Sequence, residues 1–206
     1  MARSGRAAVR GAALLAGLCG YGVSMAMMVR AGLGLDPWDV FHQGVADATG
    51  LRFGWVVIAV GALVLLAWIP LRQRPGIGTV SNVIVIGLAV DAAVAVLPTP
   101  QPLAARVAFL AAGIALNGLA TGLYIGARLG PGPRDGLMTG YVALRPGRSI
   151  RVVRTVIEVA VLAVGWLLGG TVGVGTVLYA VAIGPTVQFF LPMTHAPLAT
   201  FGRGGG

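Results

Sequence analysis

Apolar residues run along this chain in long stretches, separated by short connections rich in arginine, glycine and proline. A helix of about 20 apolar residues crosses a hydrocarbon core about 30 Å thick. Six stretches approach that length: Gly11 to Val29, Phe53 to Leu71, Ile77 to Leu97, Val107 to Ala127, Val152 to Gly169 and Thr171 to Leu191. Pro98, Pro100 and Pro102 close the third, and Pro185 is expected to interrupt the sixth, because proline cannot continue a helix without losing a hydrogen bond. Only Gly169, Gly170 and Thr171 separate the last two, which predicts a tight hairpin. The first stretch follows Arg3, Arg6 and Arg10 and so has the outline of a signal peptide, but its apolar part is long for one. It is read as a retained span. The pattern predicts an all-α polytopic membrane protein, one membrane domain over 1–206, with a disordered glycine-rich tail over 193–206.

The six spans are not independent. Shifted by 96 residues, the sequence pairs Gly17 with Gly113, Gly22 with Gly118, Leu33-Gly34 with Leu129-Gly130, Pro37 with Pro133, Asp39 with Asp135 and Gly44 with Gly140. One residue of extra shift then pairs Gly76-x-Gly78-Thr79 with Gly173-x-Gly175-Thr176, and Ile86-Gly87 with Ile183-Gly184. A chain rich in Ala, Gly, Val and Leu gives some identities by chance, but not proline and aspartate pairs in order. Two repeats follow, at about 11–97 and 107–191. Each holds three spans, an odd number, so the second must enter the membrane from the opposite side to the first. Such inverted repeats are a common plan in transporters, with binding sites at the repeat interface.

Composition agrees with a bilayer as solvent. The chain is 57% hydrophobic and 10% charged, with a mean hydropathy of +0.88, too little polar residue to cover a soluble domain of 206 residues. The net charge of +9 would suggest nucleic acid in a soluble protein. Here all fifteen basic residues are arginines in or beside the short connections, without interleaved aromatics, and no nucleic-acid partner is expected. They set orientation instead. With a cytoplasmic N-terminus, Arg3, Arg6, Arg10, Arg72, Arg74, Arg128, Arg134, Arg145, Arg148, Arg151, Arg154 and Arg203 lie inside, leaving only Arg30, Arg52 and Arg106 outside. That asymmetry places both termini in the cytoplasm. The Asp39 connection then faces out and the Asp135 connection in.

Candidate chemistry is sparse. In Leu33 to Asp39, Asp36 suits an N-cap, Pro37 the first helical position and Asp39 the first turn, where the helix dipole favours an anion. A short amphipathic helix or half-helix is predicted over 37–49, with a counterpart that starts in the segment Gly130 to Asp135 and runs to about Leu144. Asp36, Asp39, His42, Arg134 and Asp135 are therefore ligand or gate candidates, although a lone loop histidine is more often simply solvated. Within the spans, Asn82, Asp91, Asn117 and Gln188 are costly residues that either serve a site or lock helices together. Asp91 and Gln188 occupy matching repeat positions and are expected to approach each other near the pseudo-twofold axis. Glu158 lies four residues from Arg154 and reads as its ion-pair partner. Gly118, Gly122 and Gly126 form a packing stripe, as Ala16, Gly20 and Ser24 do more weakly. Cys19 is alone, His42 and His195 are far apart, and no HExxH, GxSxG or Walker A motif occurs, so neither a metal, a cofactor nor an enzymatic reaction is expected.

The segments GLGLDPWDVFHQG (32–44), RLGPGPRDGLMTG (128–140), RPGIGTVSNVIVIGLAVD (74–91) and GGTVGVGTVLYAVAIGPTVQ (169–188) resemble the YczE/YyaS/YitT family of bacterial integral membrane proteins, most closely its YczE branch, over about 11–192. The resemblance implies a multipass protein of the bacterial plasma membrane and no particular reaction. Two roles suit these features. One is a small secondary transporter or exporter of unknown substrate, whose partners are the lipid bilayer, a small molecule and a second copy of the chain as a homodimer. The other is a non-transporting scaffold or assembly factor bound to another membrane protein.

Overall fold

The computed structural model describes residues 2–145 and 147–200. Among these it forms eight α-helices and no strand: α1 (Ala2–Ala31), α2 (Pro37–Thr49), α3 (Phe53–Ala67), α4 (Ile77–Val96), α5 (Leu103–Gly126), α6 (Pro133–Leu144), α7 (Ile150–Leu167) and α8 (Val174–Thr200). Four helices are long and apolar enough to cross a membrane: α1, α4, α5 and α8. The α2–α3 pair, bent by 115° at its break, makes a fifth candidate if the two halves count as one span. Two of the six expected spans are thus less regular than the sequence pattern suggested. With 15 residues, α3 is only about 22 Å long at 1.5 Å per residue. The 18 residues of α7 include Arg151, Arg154 and Glu158, which break its apolar run.

Local chemistry explains the element ends. Asp36 caps α2 by accepting hydrogen bonds from the Trp38 and Asp39 amides, and Pro37 follows at the first helical position. Gly50 ends α2 at φ 73°, a left-handed conformation that glycine adopts without strain. In contrast to the expectation from Pro185, α8 continues through that residue unbroken. Membrane helices tolerate an internal proline where neighbouring groups take up the freed bonds. The α8 helix also runs to Thr200, so the expected tail over 193–206 is helical as far as it is described; residues 201–206 lie outside the described residues.

Contacts in the bundle recur at positions related by the sequence offset. The Arg10 Nε and Nη2 donate to the Ala127 and Arg128 carbonyls at 2.7 and 2.8 Å. The Arg106 Nε and Nη2 donate to the Ala31 and Gly32 carbonyls at 2.7 and 2.6 Å. Each arginine thereby satisfies carbonyls left over at the C-terminus of the other helix, where a cation also complements the dipole. Between these end contacts, Gly17 packs on Ala120 and Tyr124, and Gly113 on Ser24 and Met28. Helices α1 and α5 are therefore antiparallel neighbours from Arg10 to Ala31 of α1. Gly22 packs on Ala89 of α4, and its offset mate Gly118 on Thr186 of α8.

The connections cross over in the same manner. The Gly175 amide donates to the Leu33 carbonyl at 2.7 Å, and the Gly78 amide to the Leu129 carbonyl at 2.8 Å. Gly34 (φ 115°) and Gly130 (φ 134°) take the left-handed turn that brings the chain against Thr176 and Thr79. The connection before α2 is thus pinned to the start of α8, and the one before α6 to the start of α4.

The outer face is apolar. Leu63, Trp166, Leu167, Val177 and Val181 are between 64% and 82% exposed, which in water would be an aggregating surface and in a bilayer is the face offered to acyl chains. Polar side chains such as Asp36, Asp39, His42 and Asn117 are instead buried.

Candidate functional site

Both short helices point their N-termini into the bundle. For α2 the anchors are the Leu35 amide on the Thr171 carbonyl at 3.3 Å, and the Gln43 Oε1 accepting from the Thr171 amide at 2.8 Å. For α6 they are the Trp68 Nε1 donating to the Pro133 carbonyl at 3.0 Å and the Thr79 hydroxyl donating to the Pro131 carbonyl at 2.8 Å. As a result Arg134, at the start of α6, lies 3.7 Å from Asp36 and 3.6 Å from Asp39, at the start of α2. The sequence expected the two aspartate-bearing connections to face opposite sides of the membrane; the side chains at their helix starts nevertheless meet.

Around this meeting point is a cavity of about 380 Å³, within the usual range of about 300–1,000 Å³ for small-molecule sites. Of the candidates named from sequence, Asp36, His42, Asn82, Asn117, Arg134, Asp135 and Gln188 line it. Asp39, fully buried, lies directly behind, with its Oδ1 3.2 Å from the His42 Nδ1. His42 is 2% exposed and ringed by Trp38, Phe41 and Phe53, so it is not the solvated loop histidine that its sequence position suggested. Helix formation over 37–49 turns its ring inward, onto the face that carries Asp39.

Asp91 is elsewhere. Its Oδ1 accepts from the Gly54 amide at 2.6 Å, capping α3, which lacks a side-chain cap of its own. Its Oδ2 is 3.9 Å from the Arg52 Nε. The expected approach of Asp91 and Gln188 does not occur: one holds a helix start, the other lines the cavity. Asn117 does lock helices, donating to the Ser24 hydroxyl at 2.9 Å and accepting from the Tyr179 hydroxyl at 3.1 Å, and so ties α1, α5 and α8 at the cavity wall. Arg154 and Glu158 form the expected pair at 2.8 Å and also reach the lining.

The electrostatics are asymmetric. One guanidinium faces two carboxylates, and both Asp36 Oδ2 and Asp39 Oδ2 are buried without a hydrogen-bond partner. Burying carboxylates costs several kcal/mol each unless they are paired and hydrogen-bonded. The fold accepts that cost here and nowhere else among the described residues, the pattern expected of a functional group in a membrane interior. Arg134 is held over the Trp38 ring, 4.9 Å from its centroid, which fixes the guanidinium plane.

Sequence reasoning missed the aromatic part of this wall. Tyr21, Tyr124 and Tyr179 line the cavity, the Tyr124 hydroxyl lies 3.5 Å from the Asp135 Oδ2, and Tyr21 and Tyr124 meet edge to face. A signal was present in the offset, which pairs Tyr21 with Asn117. A polar residue within a span, matched to a tyrosine in the other repeat, marks the same depth twice.

Comparison with known proteins shows the family of the chain. The model of a family of unknown function, DUF6198, matches residues 8–192. An uncharacterized protein of Haemophilus influenzae is 45% identical over 178 residues, covering 86% of this chain and 81% of the relative. The uncharacterized membrane protein YczE of Bacillus subtilis is 34% identical over 175 residues, covering 84% of this chain and 80% of the relative. No solved structure matches the chain.

Proposed function

Because the chain belongs to the DUF6198 family and is similar to the membrane protein YczE, we propose that it is a small secondary transporter or exporter of the bacterial plasma membrane, with the central cavity as its substrate site. The observation that carries this reading is that the cavity is built at the junction of the two halves. Asp36, Trp38 and Asn82 come from the first; Asn117, Arg134 and Gln188 come from the second. Alternating access by rocking of two inverted units needs a site at that junction. In this reading the chain crosses the membrane six times as two inverted three-helix repeats, with α2 and α6 as half-helices and both termini cytoplasmic. The antiparallel packing of α1 on α5, the reciprocal arginine caps and the crossed connections support it. The substrate passes through unchanged, without an enzymatic step.

Sidedness is checked at the far ends of the half-helices, where Gly50 and Gly147 have no neighbour that a side chain would meet. In a background lacking Cys19, a cysteine at position 50 is expected to react with a membrane-impermeant reagent from outside the cell and one at position 147 only after permeabilisation. Equal reaction from outside refutes the inverted arrangement.

Transport itself is tested in proteoliposomes by counterflow against a metabolite panel, with Asp36→Asn and Asp39→Asn as variants. Asparagine keeps the shape and, at position 36, most of the capping ability, but removes the charge. Both variants are expected to fold and to lose transport. The scaffold reading expects the opposite: both are silent in a complemented deletion strain. Gly122→Leu then disrupts assembly, because a Cβ there already meets the Thr194 hydroxyl at 3.0 Å.

A further inference from the structure

The charge balance of the cavity narrows what it receives. Arg154 is neutralised by Glu158 at 2.8 Å. Of the remaining charged groups at the site, Asp36 and Asp39 pair with the single cation Arg134, and Asp135 lines the cavity with no ion pair among the described residues. Acceptors without donors are present as well as charge. Asp36, which lines the cavity and is 2% exposed, has an Oδ2 without a hydrogen-bond partner, as does Asp39 immediately behind it. The Asp135 carboxylate receives only the Tyr124 hydroxyl at 3.5 Å, a long contact.

The walls between these carboxylates are aromatic: Tyr21 from α1, Trp38 from α2, Tyr124 from α5 and Tyr179 from α8. Aromatic faces attract a cation, most strongly where water is excluded. Trp38 already holds one, the Arg134 guanidinium. An anion entering the same space would gain Arg134 but meet Asp36 and Asp135, with Asp39 directly behind, and like charge brought together in a low-dielectric site is costly.

From these observations, and resting on the transport reading above, we infer that the substrate is a small organic cation carrying N–H donors, such as a protonated amine or a guanidinium compound. Its charged head binds at Asp36, with Asp135 across the cavity, and its apolar part lies against the tyrosines. Arg134 keeps the aspartates in place when the site is empty, and the incoming cation supplies the second positive charge that two carboxylates and one arginine lack.

The test uses the purified full chain in detergent. Binding is measured by isothermal titration for phenethylammonium and agmatine, and for 3-phenylpropionate as an anion with a similar apolar part. The cations are expected to bind at least about tenfold more tightly than the anion, and Asp36→Asn to weaken them by about tenfold or more, the loss of one hydrogen bond to a charged group. Asp135→Asn is a second variant with the same expectation. It keeps the question open to refutation if Asp36→Asn fails to fold, which thermal unfolding in the same detergent reports. Tighter binding of 3-phenylpropionate overturns the inference and leaves the transport reading standing. Binding of neither class also overturns it, and the counterflow panel then decides separately whether the chain transports anything. Cation binding unaffected by both aspartate variants places the site elsewhere and is equally fatal.

Discussion

Replacing Arg134 with methionine is expected to destabilise the protein by about 3–5 kcal/mol, the usual cost of removing one partner from a buried charge cluster. Methionine retains most of the volume but leaves Asp36 and Asp39, at 2% and 0% exposure, without their cation. The loss therefore comes from uncompensated charge more than from packing. Adding Asp36→Asn and Asp39→Asn to the same chain removes that charge and is expected to restore most of the stability. Lowering the pH has the same effect on the single variant, because a protonated carboxyl no longer brings a charge into the interior. Thermal unfolding in detergent, read as a cycle over the single and combined variants, isolates the coupling. If the triple variant is no more stable than Arg134→Met alone, uncompensated charge is not what destabilises the single variant.

The second large effect is steric. A Cβ at Gly136 would sit 1.9 Å from the Trp68 ring, which is 1% exposed and fixed by its hydrogen bond to the Pro133 carbonyl. Gly136→Ala is expected to cost at least about 1–3 kcal/mol by overpacking, and Gly136→Leu to abolish the folded protein, because α6 can shift only by breaking its own anchor. Gly184→Ala is the control. Nothing lies within 4 Å of a Cβ there, and the substitution is expected to stabilise α8 by up to about 1 kcal/mol through helix propensity alone. Trp68→Leu in the Gly136→Ala chain is expected to recover part of the deficit. Gly136→Ala unfolding at the wild-type temperature would show that the α3–α6 contact is loose.

Much of this architecture was legible as pattern. The cap at Asp36 and the helix start at Pro37 follow from residue types whose preferences are local, and both appear in the structure. So does the Arg154–Glu158 pair, which depends only on a four-residue spacing. Span regularity was less legible, because hydropathy counts apolar length and cannot see a 115° bend or weigh Arg151, Arg154 and Glu158 in one helix. The convergence of Asp36, Asp39 and Arg134 was beyond local reasoning altogether. It depends on which way two half-helices tilt, and that is set by contacts such as Leu33 with Gly175 and Leu129 with Gly78, far apart in sequence. Asp91 misled for a related reason. Its repeat position matches that of Gln188, but the Gly54 amide is its nearest partner, and a free helix start outweighs symmetry.

The reciprocal bonds of Arg10 and Arg106 have a mechanical consequence. They close α1 and α5 at both ends, and glycines let the backbones touch in between, so this pair behaves as an axle. If the protein transports as proposed, a movement that exposes the cavity first to one side and then to the other swings other helices about this pair. Amide hydrogen exchange is accordingly expected to be slowest in the middle of α1 and α5 and fastest in α6 and α7, and to become faster in the axle when either arginine is replaced by glutamine.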